Sequence, residues 1–288
     1  MHKDELDTDA VLVRRLLSRQ FPHWADLPVE RVSSSGTDNA LYRLGDDMVV
    51  RLPRIHWAVG GVEKDVRWLP KLAPLLPAAI PVPLAEGAPA EGYPWTWGVY
   101  PWLEGENPSI AGAGSLTGDL AQFINALHRI DPLGGPPSRR GAPLREVQDE
   151  WARAALAQLT GTIDVDAAAA AWDAALRAPP WPGPPVWVHG DLLPGNLLVQ
   201  DGRLTGVIDW GLVGVGDPAC DLIVAWVLPR EARPGFRTAL GVDDATWARG
   251  RGWALSMGLI ALPYYIETNP VLAATARHLI LEVLADDA

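Results

Sequence analysis

Four residues separate Asp191 from Asn196, and a further carboxylate, Asp209, follows thirteen residues after the asparagine. A carboxylate can orient or deprotonate a hydroxyl, while an amide oxygen and a second carboxylate are hard donors of the kind magnesium takes alongside substrate phosphates. Moving a phosphoryl group to an alcohol demands mainly alignment and charge neutralisation. Asp191, Asn196 and Asp209 together form a minimal set for that chemistry. Each lies in a loop flanked by short apolar runs, with strands expected at 186–188, 196–199 and 204–208 and the turn Asp201-Gly202 between the last two.

The rest of the chain must hold that loop in place. Thr8 or Asp9 can cap a helix carrying Val11, Leu12, Leu16 and Leu17 at helical spacing. Strands follow around Val32, at 40–44 and at 48–52, the last two joined by Gly45-Asp46-Asp47, which makes an antiparallel meander. Gly60-Gly61 open a helix at 62–76, and a Pro-rich stretch ends it before a strand at 95–102. Beyond residue 106 the pattern turns helical. Leu116, Leu120, Phe123, Ile124 and Leu127 share one face, helices are expected at 144–159 and 165–178, and everything after about Leu222 reads as helix. The run 252–266 is too short to cross a bilayer, which needs roughly 20 apolar residues, and reads as a buried helix.

Composition narrows the classes of partner. With 24 basic against 35 acidic residues, the net charge of −11 argues against a broad nucleic-acid surface. Residues 1–100 carry a net −2 and residues 101–288 a net −9, so the second part would concentrate a cationic small molecule. The single cysteine, Cys220, excludes an internal disulfide and suits a reducing compartment. The charged start of the chain lacks the apolar core of a signal peptide, so a cytoplasmic location is expected, with no membrane partner.

The segment His189-Gly190-Asp191 through Asn196, then Ile208-Asp209-Trp210 and Gly216-Asp217-Pro218-Ala219-Cys220-Asp221-Leu222, resembles the aminoglycoside phosphotransferase family, antibiotic kinases similar to protein kinases. The resemblance is most specific over 186–222. It implies an α+β, bilobal protein-kinase-like fold, with a small antiparallel-sheet nucleotide-binding lobe at 1–102, a hinge at 103–106 and a mainly helical catalytic and substrate-binding lobe at 107–288. It implies Asp191 as catalytic base or orienting carboxylate, Asn196 and Asp209 as Mg2+ ligands, ATP or GTP as donor, and His189 as structural. Asp217 and Asp221 are expected to brace the loop and cap a helix.

By the same resemblance, Ser34, Ser35, Gly36 and Asn39 would meet the phosphates, although no Gly-x-Gly-x-x-Gly is present. Tyr100, Pro101 and Leu103 would border the base. The third strand of kinases carries a phosphate-clamping lysine, whereas Arg51 occupies the expected position here. Arginine is longer, planar and bidentate, so the exchange is not conservative. Glu63 is the first choice for the carboxylate orienting Arg51, and Asp65 is its competitor. An impaired, nucleotide-binding pseudokinase is one alternative. Glu146, Asp149, Tyr264 and Glu267, with Glu150 and Tyr265 beside them, lie where the family binds its acceptor. That acceptor is expected to be an aminoglycoside or macrolide-type antibiotic, with choline, homoserine or a sugar amine as the metabolic alternative. The sequence carries no signal for oligomeric state.

Overall fold

The structure, a computed structural model, describes residues 5–33 and 38–287. Two compact units emerge: residues up to Gly105 together with Thr205–Gly211, and Glu106–Leu204 together with Leu212 onward.

In the first unit, Asp9 is the residue that caps helix α1 (Ala10–Gln20), its carboxylate accepting from the Leu12 N–H at 2.7 Å. The sheet has five antiparallel strands, β1 (Val29–Arg31), β2 (Asn39–Leu44), β3 (Met48–Pro53), β4 (Ala85–Gly87) and β5 (Trp97–Pro101), in the order β1-β2-β3-β5-β4. The period-two alternation buries Ala40, Tyr42 and Leu44 on β2 and Met48, Val50 and Leu52 on β3. These side chains pack with Val13, Leu16 and Leu17 of α1 and with Trp97 and Val99 of β5. Arg51 therefore points to the other face of β3, opposite Leu41 on one side and Gly98 on the other.

Two elements differ from expectation. The first strand lies at Val29–Arg31, just before Val32, because Val29 pairs with Leu44 across the meander. Strand β4 was not expected at all. Three residues containing a glycine offer no alternation to read, and the strand is specified by β5, whose Trp97 indole fills the space where a Gly87 Cβ would stand.

Helix α2 (Gly61–Leu72) starts after Gly60, which adopts a left-handed φ of +86°. The segment Thr205–Gly211 joins this unit because Ala79 accepts from the Val207 N–H and donates its own N–H to Thr205 O, each at 2.9 Å. An expected boundary at 102–106 leaves that return of the chain out.

The second unit is mainly helical, with α3 (Thr117–Arg129), α4 (Leu144–Val147), α5 (Asp149–Gln158), α6 (Val165–Arg177), α7 (Arg233–Leu240), α8 (Asp244–Tyr265) and α9 (Pro270–Leu284). The helix expected across 144–159 breaks at Gln148, whose buried side chain accepts from Ser256 Oγ. Strand β6 (Val186–Val188) pairs with β9 (Gly214–Gly216), and β7 (Leu197–Gln200) forms a hairpin with β8 (Arg203–Val207). Pro218–Trp226 is a 3-10 segment buried at every residue. Helices α8 and α9 approach closely at Gly258, where a Cβ would fall 2.8 Å from Ala276 O. Among the described residues, no helix is long and apolar enough to cross a membrane.

Candidate functional site

In the second unit the segment after β6 forms the loop that carries Asp191 and Asn196. Gly190 takes φ +82°, and a Cβ there would lie 2.9 Å from Arg140 Cβ, so only glycine fits the turn. The fully buried Asp221 accepts the Gly190 N–H at 2.7 Å and the His189 N–H at 3.2 Å, and its Oδ2 also meets His128 Nε2 at 2.9 Å. His189 is itself buried, and its Nδ1 accepts the Asp191 N–H at 3.2 Å. These bonds aim the backbone into and out of Asp191.

Asn196 Nδ2 donates to Asp191 Oδ2 at 2.8 Å and to Asp191 O at 2.9 Å, so the acid and the amide, with four residues between them in sequence, meet side by side. With its nitrogen so engaged, the amide oxygen of Asn196 is the atom that could face a cation. Asn107 ties down the loop's far side, donating to Gly195 O and Leu197 O at 3.0 and 2.9 Å.

Two arginines, the half-buried Arg140 and the buried Arg249, complete this surrounding. Arg140 stands over the Trp253 ring at 5.4 Å, its pKa pulled down by burial while the Asp191 charge opposes the change. Arg249 Nε donates to Asp217 Oδ2 at 2.6 Å, and Asp217 caps the 3-10 segment through the Ala219 N–H at 3.0 Å. The sequence offered no periodicity to single out Arg140, Arg249 or His128, which act through partners far away in the chain.

The first unit gathers a charged cluster. Arg51 Nη1 pairs with Asp65 Oδ2 at 2.8 Å, and Tyr100 Oη donates to that same oxygen at 3.0 Å. Asp209 stands with its Oδ1 3.8 Å from Arg51 Nη2, half-exposed, at a left-handed φ of +60°. Lys64 reaches Gly211 O at 2.8 Å. The carboxylate that meets Arg51 is thus Asp65 and not Glu63, which is exposed: on α2 the two residues lie about 200° apart around the axis, and only one can face the sheet. Burial lowers the Arg51 pKa, but the charges of Asp65 and Asp209 outweigh it and hold the guanidinium well above the ordinary arginine value. Burial pushes the Asp65 carboxyl up against the pull of Arg51, and it pushes the Tyr100 phenol well up.

The other expected residues fall as follows. Ser34, Ser35 and Gly36 lie outside the described residues. Asn39 opens β2 opposite Pro53, and its Oδ1 is buried with no partner among the described residues. Pro101 ends β5 and Leu103 follows it, half-buried. Asp149 is engaged by Trp172 Nε1 and Arg153 Nε, both at 2.8 Å. Glu146 and Glu267 are exposed, and Tyr264 is exposed with its ring edge-on to Tyr265 at 4.8 Å. Among the described residues no group of three or more His, Cys, Asp or Glu could hold a metal ion. Asn196 and Asp209 still fit magnesium by donor type, since that ion takes one or two protein oxygens and completes its shell from phosphates and water.

The model of the family described as "Phosphotransferase enzyme family" matches residues 29–253. An Escherichia coli aminoglycoside 3'-phosphotransferase is 35% identical over 136 residues, 42% of this chain and 46% of that protein. The chain spans about half the length of the curated relatives it matches. Among solved structures, the GDP and kanamycin complex of APH(2")-IIia superposes with a TM-score of 0.74 at 20% identity, covering 96% of this chain and 99% of that one. The macrolide 2'-phosphotransferase MphH from Brachybacterium faecium superposes with a TM-score of 0.61 at 25% identity, over 94% and 97%. The α+β fold is the kinase-like one these enzymes share.

Proposed function

The chain belongs to the phosphotransferase enzyme family, and from that premise we propose that it moves the γ-phosphoryl group of ATP or GTP to a hydroxyl of a small molecule, with magnesium. The first acceptor class is an aminoglycoside or macrolide antibiotic, and the site of action is the cytoplasm. One observation carries the reading: Asn196 Nδ2 holds Asp191 Oδ2 at 2.8 Å, in a loop whose backbone is braced by the buried Asp221.

Asp191 accepts a hydrogen bond from the acceptor hydroxyl and turns its lone pair toward phosphorus. As the new oxygen–phosphorus bond forms and the β–γ bridging bond breaks, the hydroxyl proton passes to the Asp191 carboxylate. Asn196 keeps that carboxylate from rotating away. Asn196 and Asp209 would hold Mg2+, which when bound offsets the charge of the transferring phosphate. Arg51 offers a fixed positive charge to the nucleotide's phosphates.

The test is Asp191→Ala assayed with ATP and GTP across aminoglycosides, macrolides, choline and homoserine. A positioned acid–base group is worth at least about a hundredfold in rate, so kcat should fall by that factor while nucleotide affinity stays within about twofold. Unchanged turnover refutes the assignment of Asp191. Turnover confined to choline or homoserine refutes the antibiotic reading.

A further inference from the structure

Two donors share one oxygen in the first unit. Arg51 Nη1 and Tyr100 Oη both bond Asp65 Oδ2, at 2.8 and 3.0 Å, while Asp65 Oδ1 is buried with no partner among the described residues. A buried carboxylate with an idle oxygen gains by rotating to share its donors, and the Tyr100 hydroxyl opposes that rotation because it pins Oδ2 from the strand side. Tyr100 itself has little freedom. A Cβ on Gly98 would stand 2.6 Å from Tyr100 Cε2 and 3.1 Å from its hydroxyl, so the ring lies over the bare backbone of Gly98, the residue paired with Arg51 across the sheet. The Tyr100 ring also lies 6.0 Å from the Arg51 guanidinium.

Side-chain lengths point the same way. Arginine reaches further than lysine, and the acid that meets it is aspartate, one methylene shorter than glutamate. Around Arg51 Nη2 stand the half-exposed Asp209, its Oδ1 at 3.8 Å, and Gly61 and Gly211, whose absent side chains would otherwise make contact at 3.6 and 3.7 Å. The fork is thus held closely at Nη1, while Nη2 has only the longer approach of Asp209 and bare backbone on its other sides.

We propose that Tyr100 is a positioning residue, whose hydroxyl locks the Asp65 carboxylate and so aims Arg51 Nη2 at the phosphates of the nucleotide. The claim rests on the phosphotransferase reading for the identity of the nucleotide, and it differs from the role expected for Tyr100 as a wall of the base pocket. A wall would act on the base, whereas a lock acts only through Arg51 on phosphate.

The experiment measures binding of ADP, GDP, adenosine and guanosine by calorimetry to wild type, Tyr100→Phe, Arg51→Ala and the double variant, all in magnesium buffer. Phenylalanine keeps the ring and removes only the hydroxyl. Tyr100→Phe should weaken the preferred diphosphate about five- to tenfold and leave its nucleoside within twofold, and in the Arg51→Ala background it should have no further effect. Gly98→Ala, which displaces the ring, should weaken the diphosphate likewise. Equal weakening of nucleoside and diphosphate, or an undiminished effect of Tyr100→Phe when Arg51 is gone, overturns the proposal. Arg51→Ala binding the diphosphate as wild type does overturns it too. If wild type binds nucleotide with this selectivity yet transfers phosphate to no acceptor, the phosphotransferase reading fails while the lock stands. If it binds no nucleotide, both fall.

Discussion

The two units hold their key side chains by opposite means. In the first, Arg51 is placed by another charge, Asp65, in surroundings where burial works against both. In the second, Asp191 is placed by neutral donors, an amide and a backbone that hangs on Asp221. A buried ion pair contributes little net stability, because desolvation consumes most of the attraction, but it is costly to break from one side. A braced loop loses its bonds one at a time, each worth roughly 1 kcal/mol. The first arrangement fixes a cation, which on the proposed reading meets phosphate. The second fixes a carboxylate through a braced backbone, and on the proposed reading that carboxylate meets the acceptor hydroxyl.

The largest effect should come from breaking the pair on the acid side. Asp65→Ala leaves Arg51 mostly buried beside no carboxylate except the half-exposed Asp209, and it strips the Tyr100 hydroxyl of its acceptor. Stability should fall by about 3–5 kcal/mol, the usual cost of an orphaned buried charge, as read from denaturant midpoints. A loss below 1 kcal/mol would show that water reaches Arg51 freely and would erase the contrast between the units. Gly190→Ala comes next. The left-handed turn costs roughly 1–2 kcal/mol for an L side chain, and the contact with Arg140 adds strain of similar size. Because the strain falls next to Asp191, kcat should drop with little change in nucleotide affinity, the reverse of the pattern expected for Arg51.

How much of this could be read from the chain alone depends on how local each determinant is. Asp191, Asn196 and the turn between them are neighbours in sequence, so their meeting could be read from spacing alone. The meander was legible because alternation on 40–44 and 48–52 reports which face is buried. The acid partner of Arg51 was harder, since Glu63 and Asp65 stand on the same turn of α2, and only the helix's rotation against the sheet decides between them. Arg140 and β4 left no trace in the pattern: each is specified by a residue outside its own element, Gly190 fifty positions on and Trp97 on the next strand, through exclusion of volume. The break at Gln148 is likewise a tertiary event, a buried amide drawn to Ser256.

The second unit also contains an ion pair, and there the balance runs the other way. Glu282 accepts from Arg230 Nε at 2.9 Å and from Arg233, and burial pushes its carboxyl up by less than the two arginines together pull it down. For Asp65, burial wins. The sign of the pH dependence follows from that difference. A glutamate held below its ordinary value of 4.5 in the fold takes up its proton more readily when the chain unfolds. Its contribution is therefore fully present above pH 4.5 and disappears as the pH falls through the lower, folded value. Glu282→Gln should unfold at a lower temperature than wild type at pH 7, and the gap should close steadily on acidification from about pH 4.5 downward. Melting curves of both proteins between pH 3 and 7 read this directly. A gap that stays constant across the range would mean that Glu282 contributes through packing alone, and that charge pairs in both units are limited by burial in the same way.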